Sequence, residues 1–265
     1  MKVVLFCGGF GMRLREYSEI IPKPMVMIGY RPILWHVMKY YAHYGHKEFV
    51  LCLGYKADAI KDYFLNYNEY VSNDFVLTKG GKNLELLHND IEDWKITFVD
   101  TGLTTNIGQR LKAVQKHVEG EDMFLANYAD GLSDCPLPIL IDTLKERGKT
   151  AIFLSTRPGT TFHIVSTCDG GVVKSIVDVS QSEIWINGGF FVFRREIFDY
   201  IRAGEELVHE PFRRLIEKGE LLTHRYNGFF IGMDTFKEKQ RLDDMVSRGE
   251  TPWEVWKAPA PGALR

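Results

Sequence analysis

Cysteine is scarce and scattered in this chain: four residues in 265, at Cys7, Cys52, Cys135 and Cys168, with no C-x-x-C pair and no histidine cluster to complete a zinc site. A disulfide-stapled scaffold and a structural zinc module are both excluded, and the thiols are expected to be reduced and mostly buried. Long apolar runs are missing too. None reaches the ~18 residues that a membrane-crossing helix needs, and the opening run Met1–Phe6 is interrupted by Cys7-Gly8-Gly9 too early for a secretory core. A cytoplasmic location and no membrane partner are expected. Neither sign of charge dominates, since 33 Lys and Arg against 35 Asp and Glu leave a net charge of -2. That balance provides no broad basic field to hold a nucleic-acid backbone. Internal repeats are absent.

What is present alternates. Lys2–Cys7 is a β run, Pro32–Tyr44 has helical apolar spacing, Glu48–Leu53 is again β, and Ala57–Tyr67 again helical. Further strands are expected at Lys95–Val99, Met123–Asn127, Thr150–Ser155 and Gly189–Phe193, with helices near Gly108–Val118, Pro138–Arg147 and Glu210–Lys218. Such alternation predicts an α/β fold on a mostly parallel sheet, which binds its ligands at the carboxyl ends of the strands. Two stretches break the pattern. Tyr70–Asp93 reads as an inserted hairpin or loop, and 157–187 reads as a small antiparallel lid turning at Asp169-Gly170-Gly171. Residues 1–256 are read as one domain and the Pro/Ala-rich 257–265 as a disordered tail. Trp35, Tyr40, Tyr41, Phe190 and Phe191 have core spacing, whereas His36, His43 and His46 are expected to face solvent or cap a helix.

Directly after the first strand stands Gly8-Gly9-Phe10-Gly11-Met12-Arg13. Glycines there let backbone N–H groups approach a phosphate chain, and Arg13 offers a fork of donors. Leu14 at the third glycine position rules out the dinucleotide fingerprint, and no G-K-[ST] follows as in a P-loop. In Ile21-Pro22-Lys23-Pro24 two prolines stiffen the chain around one ammonium, which suits a phosphate that gains charge in a transition state. Asp130-Gly131 ends a strand where a hard cation is held, and Asp234 follows a late aromatic β run. Taken singly, each has a plain alternative: a strand-to-helix turn, a proline-closed loop, a turn aspartate, a helix cap.

Together, in order, these segments resemble the sugar-1-phosphate nucleotidyltransferase family, and within it most closely the glucose-1-phosphate cytidylyltransferases. The likeness extends over roughly 1–256 through Lys23-Pro24-Met25, Gly54-Tyr55-Lys56, Val99-Asp100-Thr101-Gly102, Gly108-Gln109-Arg110-Leu111-Lys112, Ile186-Asn187-Gly188-Gly189, Met233-Asp234-Thr235 and Pro252-Trp253. It implies a Rossmann-like three-layer fold with a mixed central sheet. It also implies Gly8, Gly9, Gly11, Arg13 and Arg110 about the nucleotide, Lys23 at the α-phosphate, and Asp130 with Asp234 on Mg²⁺. Arg13, Lys23 and Asp130 would be the catalytic set, CTP the most favoured nucleotide, and homo-oligomers the expected state. The acceptor would be a sugar 1-phosphate or an unusual phosphate or phosphonate analogue.

The resemblance fails in the lid. Where the family carries E-K-P, this chain has Asp178-Val179-Ser180, and the F-G-x-L segment reads Phe162-His163-Ile164-Val165, preceded by Thr160-Thr161 in place of an arginine. An ammonium about 4 Å from a phosphate, at an effective dielectric of about 20, contributes roughly 4 kcal/mol before desolvation is subtracted. So large a loss points to a different acceptor, to a compensating cation, with His163 or Lys174 as candidates, or to a catalytically silent nucleotide-binding or regulatory homologue. Asn187 in the retained turn is expected to hold an acceptor hydroxyl beside Val179 and His163. A glycosyltransferase is disfavoured, because Asp130 is followed by Gly131-Leu132 and not by the D-x-D those enzymes place at a metal.

Overall fold

The computed structural model describes residues 1–9, 21–159 and 162–257. Its main sheet contains β1 (Val3–Phe6), β2 (Glu48–Leu53), β3 (Lys95–Asp100), β4 (Met123–Tyr128), β5 (Ala151–Thr156), β6 (Ile186–Asn187), β7 (Phe191–Arg194) and β8 (Leu221–Tyr226). β1 lies between β2 and β4 and is parallel to both, and β3 continues the parallel set beyond β2. β8 pairs in parallel along all of β5, so β6 and β7 share the other edge of β5, both antiparallel to it. β7 is antiparallel to β4 as well and joins the two parallel groups. The order across the sheet is therefore 3-2-1-4-7-5-8, mixed and mostly parallel.

The two faces of β1 explain the layers. Side chains alternate along a strand, and Val3 and Leu5 enter one core with Ile33 and Val37 of α1 (Ile33–His43), Ile60 of α2 (Ala57–Leu65), and Leu140 and Leu144 of a later helix, Leu137–Arg147. Val4 and Phe6 enter the other with Leu111 of α3 (Ile107–Ala113), Val118 of α4 (Gln115–Val118), and Phe212 and Leu215 of Glu210–Glu217. Helices thus cover both faces of a sheet whose central strand is apolar throughout, as a buried parallel strand must be. The helix expected over Gly108–Val118 divides at Val114, a fully buried β-branched residue at φ -97° and ψ 4°.

Both departures from the alternating pattern are antiparallel hairpins. Phe75–Thr78 pairs with Asn83–Leu86 in the insertion, and His163–Thr167 with Val173–Asp178 in the lid, where Gly170 turns at φ 78°. β7 begins later than its apolar run suggests, because Gly189 and Phe190 adopt φ 77° and 49°. A Cβ at position 189 would lie 2.4 Å from Asn127 Oδ1, which accepts hydrogen bonds from the backbone N–H groups of Tyr128 and Phe190. Residues 258–265 of the expected tail lie outside the described residues.

His36 corrects an expectation. It is 1 % exposed, not solvent-facing, because α1 is buried on nearly all sides beneath Trp253 and Trp256. Trp253 Nε1–H donates to His36 Nδ1 at 3.3 Å, so Nε2 carries the proton toward the Ile28 carbonyl at 3.0 Å. Protonation would set a second N–H against that of the indole.

Burial lowers the His36 pKa to about 4. Since the unfolded chain takes up its proton near pH 6.5 and the native one does not, stability falls as pH drops through that window. We expect chemical denaturation to show His36 contributing a loss on the order of 2 kcal/mol between pH 7 and pH 5. His36→Asn should flatten the curve by that amount, and an unchanged slope in the variant would contradict the assignment.

Candidate active site

The carboxyl ends of β1 and β4 open into a cleft of about 850 Å³, a size suited to a small-molecule ligand. Its wall includes Cys7 and Gly9 after β1 and Tyr128 to Gly131 at the end of β4. Lys23, Asn187 and Asp234 join them.

Local pairing explains why two acids more than a hundred residues apart meet. Gly131–Ser133 and Phe230–Gly232 form an antiparallel ribbon with Gly131 opposite Gly232. Asp130 enters the ribbon at the end where Asp234 leaves it, and Met233 N–H donates to the Asp130 carbonyl at 2.9 Å. A capping box at Thr235 and Glu238 then starts the helix Phe236–Ser247. The expected proline-braced lysine completes the group: Pro22 is extended, Lys23–Met25 is one 3-10 turn closed by Met25 N–H to the Pro22 carbonyl at 2.8 Å, and Pro24 and Met25 are buried.

Lys23 Nζ lies 2.5 Å from Asp130 Oδ2 and 2.7 Å from Asp234 Oδ1. Burial works against its charge, yet the two carboxylates outweigh burial and hold its pKa above the ordinary lysine value. The ammonium is therefore permanent at neutral pH. Both carboxylates surround a single point, as two oxygen ligands of one hard cation must, and each keeps exposed surface, Asp130 26 % and Asp234 47 %. The donor set fits magnesium, which takes one or two carboxylates and leaves its other positions to phosphate and water. Among the described residues no three His, Cys, Asp or Glu side chains gather as a denser metal site. Burial raises the Cys7 thiol well above its usual range, so it stays protonated and is a poor nucleophile.

Gly8 ends at the back of the cleft, against Arg110. That arginine is 2 % exposed, and its guanidinium donates to the carbonyls of Leu53, Gly102, Gly8 and Leu103 and to Thr101 Oγ1. Arg110, expected about the nucleotide, is thus held behind the glycine turn by five oxygens and does not line the cleft. Its neighbours dictate Gly8, where a Cβ would sit 2.2 Å from Arg110 Nη1, and Gly54, where it would meet two carbonyls at 2.8 Å. Gly9 has open space in front of it. Gly11 and Arg13 lie outside the described residues, as do Thr160 and Thr161.

Of the acceptor candidates, Asn187 is on the wall, with Nδ2 3.4 Å from Tyr128 Oη. Val179 is buried at the foot of the lid, donating its N–H to the Phe162 carbonyl at 2.9 Å, and His163 and Lys174 are exposed on the hairpin; none of the three lines the cleft. Two wall residues escaped sequence reasoning. Tyr128, whose phenol is pushed up to about 12 by burial and by Glu206, was signalled only by its place two residues before Asp130. Arg241 was signalled by nothing except its i+3 spacing from Glu238, also on the wall.

Residues 2–229 match the nucleotidyl transferase family. The glucose-1-phosphate cytidylyltransferase of Salmonella typhi is 38% identical over 258 residues, spanning 97% of this chain and 100% of that protein. A probable glucose-1-phosphate cytidylyltransferase of Bacillus subtilis (strain 168) matches to the same extent. Among solved structures, UDP-glucose pyrophosphorylase complexed with UDP-glucose superposes with a TM-score of 0.68 at 15% identity, over 94% of this chain and 98% of that one, a likeness of fold.

The contact between Gly8 and Arg110 makes these positions interdependent. Gly8→Ala is expected to destabilise by about 2 kcal/mol through overpacking, and Arg110→Ala by about 3 kcal/mol through five stranded acceptors. In a double-mutant cycle read by urea denaturation, Gly8→Ala should cost under about 1 kcal/mol once Arg110 is alanine. Strict additivity would show that the two side chains do not share that space.

Proposed function

The chain belongs to the nucleotidyl transferase family and is a nucleotidyltransferase, and on that premise we propose that it transfers the nucleoside monophosphate of CTP to a sugar 1-phosphate or a close phosphate or phosphonate analogue. The observation that carries this reading is the Lys23 ammonium fixed between Asp130 and Asp234 on the wall of a strand-end cleft. The names of the 38%-identical relatives support CTP and a glucose 1-phosphate type of acceptor.

An acceptor phosphate oxygen attacks the α-phosphorus. A new P–O bond forms, the α–β bridging P–O bond breaks, and pyrophosphate departs with the electron pair. The attacking oxygen is anionic near neutral pH, so no general base is needed and the protein's task is alignment and charge stabilisation. Lys23 faces the charge that builds on the α-phosphoryl oxygens, and its raised pKa keeps it protonated throughout. Asp130 and Asp234 are the residues that would hold Mg²⁺, which when bound offsets the charge of the triphosphate. Gly9 leaves the wall beside the strand end clear for a phosphate chain. Tyr128 and Asn187 offer hydroxyl-seeking groups to the acceptor.

No helix among the described residues is long and apolar enough to cross a membrane. Exposed Val165, Val173 and Ile176 on the lid hairpin suit self-association. Sedimentation velocity should show a species larger than the 30.5 kDa chain, and a monomer at micromolar concentration would remove that part of the reading.

Incubation with Mg²⁺, each nucleoside triphosphate and a panel of sugar phosphates and phosphonates should release pyrophosphate, best with CTP. Lys23→Ala and Asp130→Asn should each lower turnover at least ~100-fold, the scale for loss of a preorganised charge. Nucleotide binding by calorimetry with no turnover on any acceptor would instead favour a silent homologue, the alternative that Val179 in place of the lid lysine keeps in view.

A further inference from the structure

A phosphorylated acceptor brings two negative charges into this cleft, and the position at which a lid cation is expected holds buried Val179. The described cations on the wall are Lys23 and Arg241. Lys23 already serves two carboxylates. A third acid on the wall, Glu238, receives Thr235 N–H at 2.7 Å in the capping box and is directed toward the helix start. Arg241 differs from all of them. Its side chain is exposed, on the cleft face of the helix Phe236–Ser247, and it makes no hydrogen bond or ion pair among the described residues.

Arg241 also reaches the lid. Gly159, at the root of the lid, lies on the cleft wall, and a Cβ placed there would stand 4.0 Å from Arg241 Nη1. Glycine at 159 places no side chain of its own beside the guanidinium. A planar fork of donors with no partner among the described residues, opening on a cleft that must take in a dianion, is suited to two-point binding of phosphate or phosphonate oxygens.

We propose that Arg241 binds the phosphate or phosphonate group of the acceptor, entering from the helix after Asp234 and replacing the cation that Val179 does not provide. The assignment rests on the transferase reading above and adds to it a specificity-determining residue. The same chemistry exists in the distal phosphates of the nucleotide, and the two sources are separated by which Michaelis constant responds.

Steady-state kinetics with CTP, Mg²⁺ and α-glucose 1-phosphate as the acceptor probe test it. Wild-type pyrophosphate release first establishes the transferase reading by itself. Arg241→Ala should then raise the KM for glucose 1-phosphate about ten- to hundredfold, as expected for loss of a charge-assisted pair, and leave the KM for CTP within twofold. Arg241→Lys should recover part of the loss, since it restores charge without the fork. Calorimetric titration of glucose 1-phosphate, with glucose as the uncharged control, into protein loaded with a non-hydrolysable CTP analogue should show the same weakening. An unchanged acceptor KM, a rise confined to the CTP KM, or wild-type protein that binds neither sugar would each overturn the assignment.

Discussion

One ammonium between two carboxylates organises this molecule. Asp130 and Asp234 are brought side by side by a short antiparallel ribbon, and without a cation between them they would repel at a distance where charge interactions in a partly buried cleft are strong. Lys23 answers that repulsion from a third segment, braced by Pro22 and Pro24 so that little backbone freedom remains to be lost. The arrangement joins the 3-10 turn Lys23–Met25, the end of β4 and the start of the last long helix around one point, which is also where the parallel strands present their carboxyl ends.

Behind this front stands a second, wholly buried layer. Arg110 gathers carbonyls from the ends of β2 and β3 and from Gly8, so three loops that would otherwise leave acceptors unpaired are tied to one guanidinium. The glycines at 8 and 54 follow from that packing: each gives up a side chain because arginine or backbone already fills its place. The glycine turn at the end of β1 is positioned by a residue that does not itself line the cleft.

Period and punctuation made the sheet legible. β1, β2, β3 and β4 are apolar runs that end at or just before glycine or acid, and those strand-end residues point to the carboxyl edge where the cleft lies. What stayed hidden depends on distant partners. Nothing in Gly108-Gln109-Arg110 says that its arginine turns inward, because that is decided by the carbonyls of Leu53 and Gly102. His36 looked like an exposed helical histidine until Trp253, over two hundred residues away, covered it. Arg241 sits in a polar helix whose pattern says only that one side faces water, and the opening of that side on the cleft is a tertiary fact.

The lid shows the limit of reading by likeness. Its hairpin is present, yet Val179 is packed at its foot and His163 and Lys174 do not line the cleft, which is why the proposed acceptor cation is Arg241 on the cleft wall. The most direct test of the central claim is a crystal structure with Mg²⁺ and a non-hydrolysable CTP analogue. The account predicts the metal on Asp130 and Asp234 with Lys23 Nζ in hydrogen-bond reach of an α-phosphate oxygen; nucleotide bound outside this cleft, or Lys23 directed away from its phosphates, would contradict it.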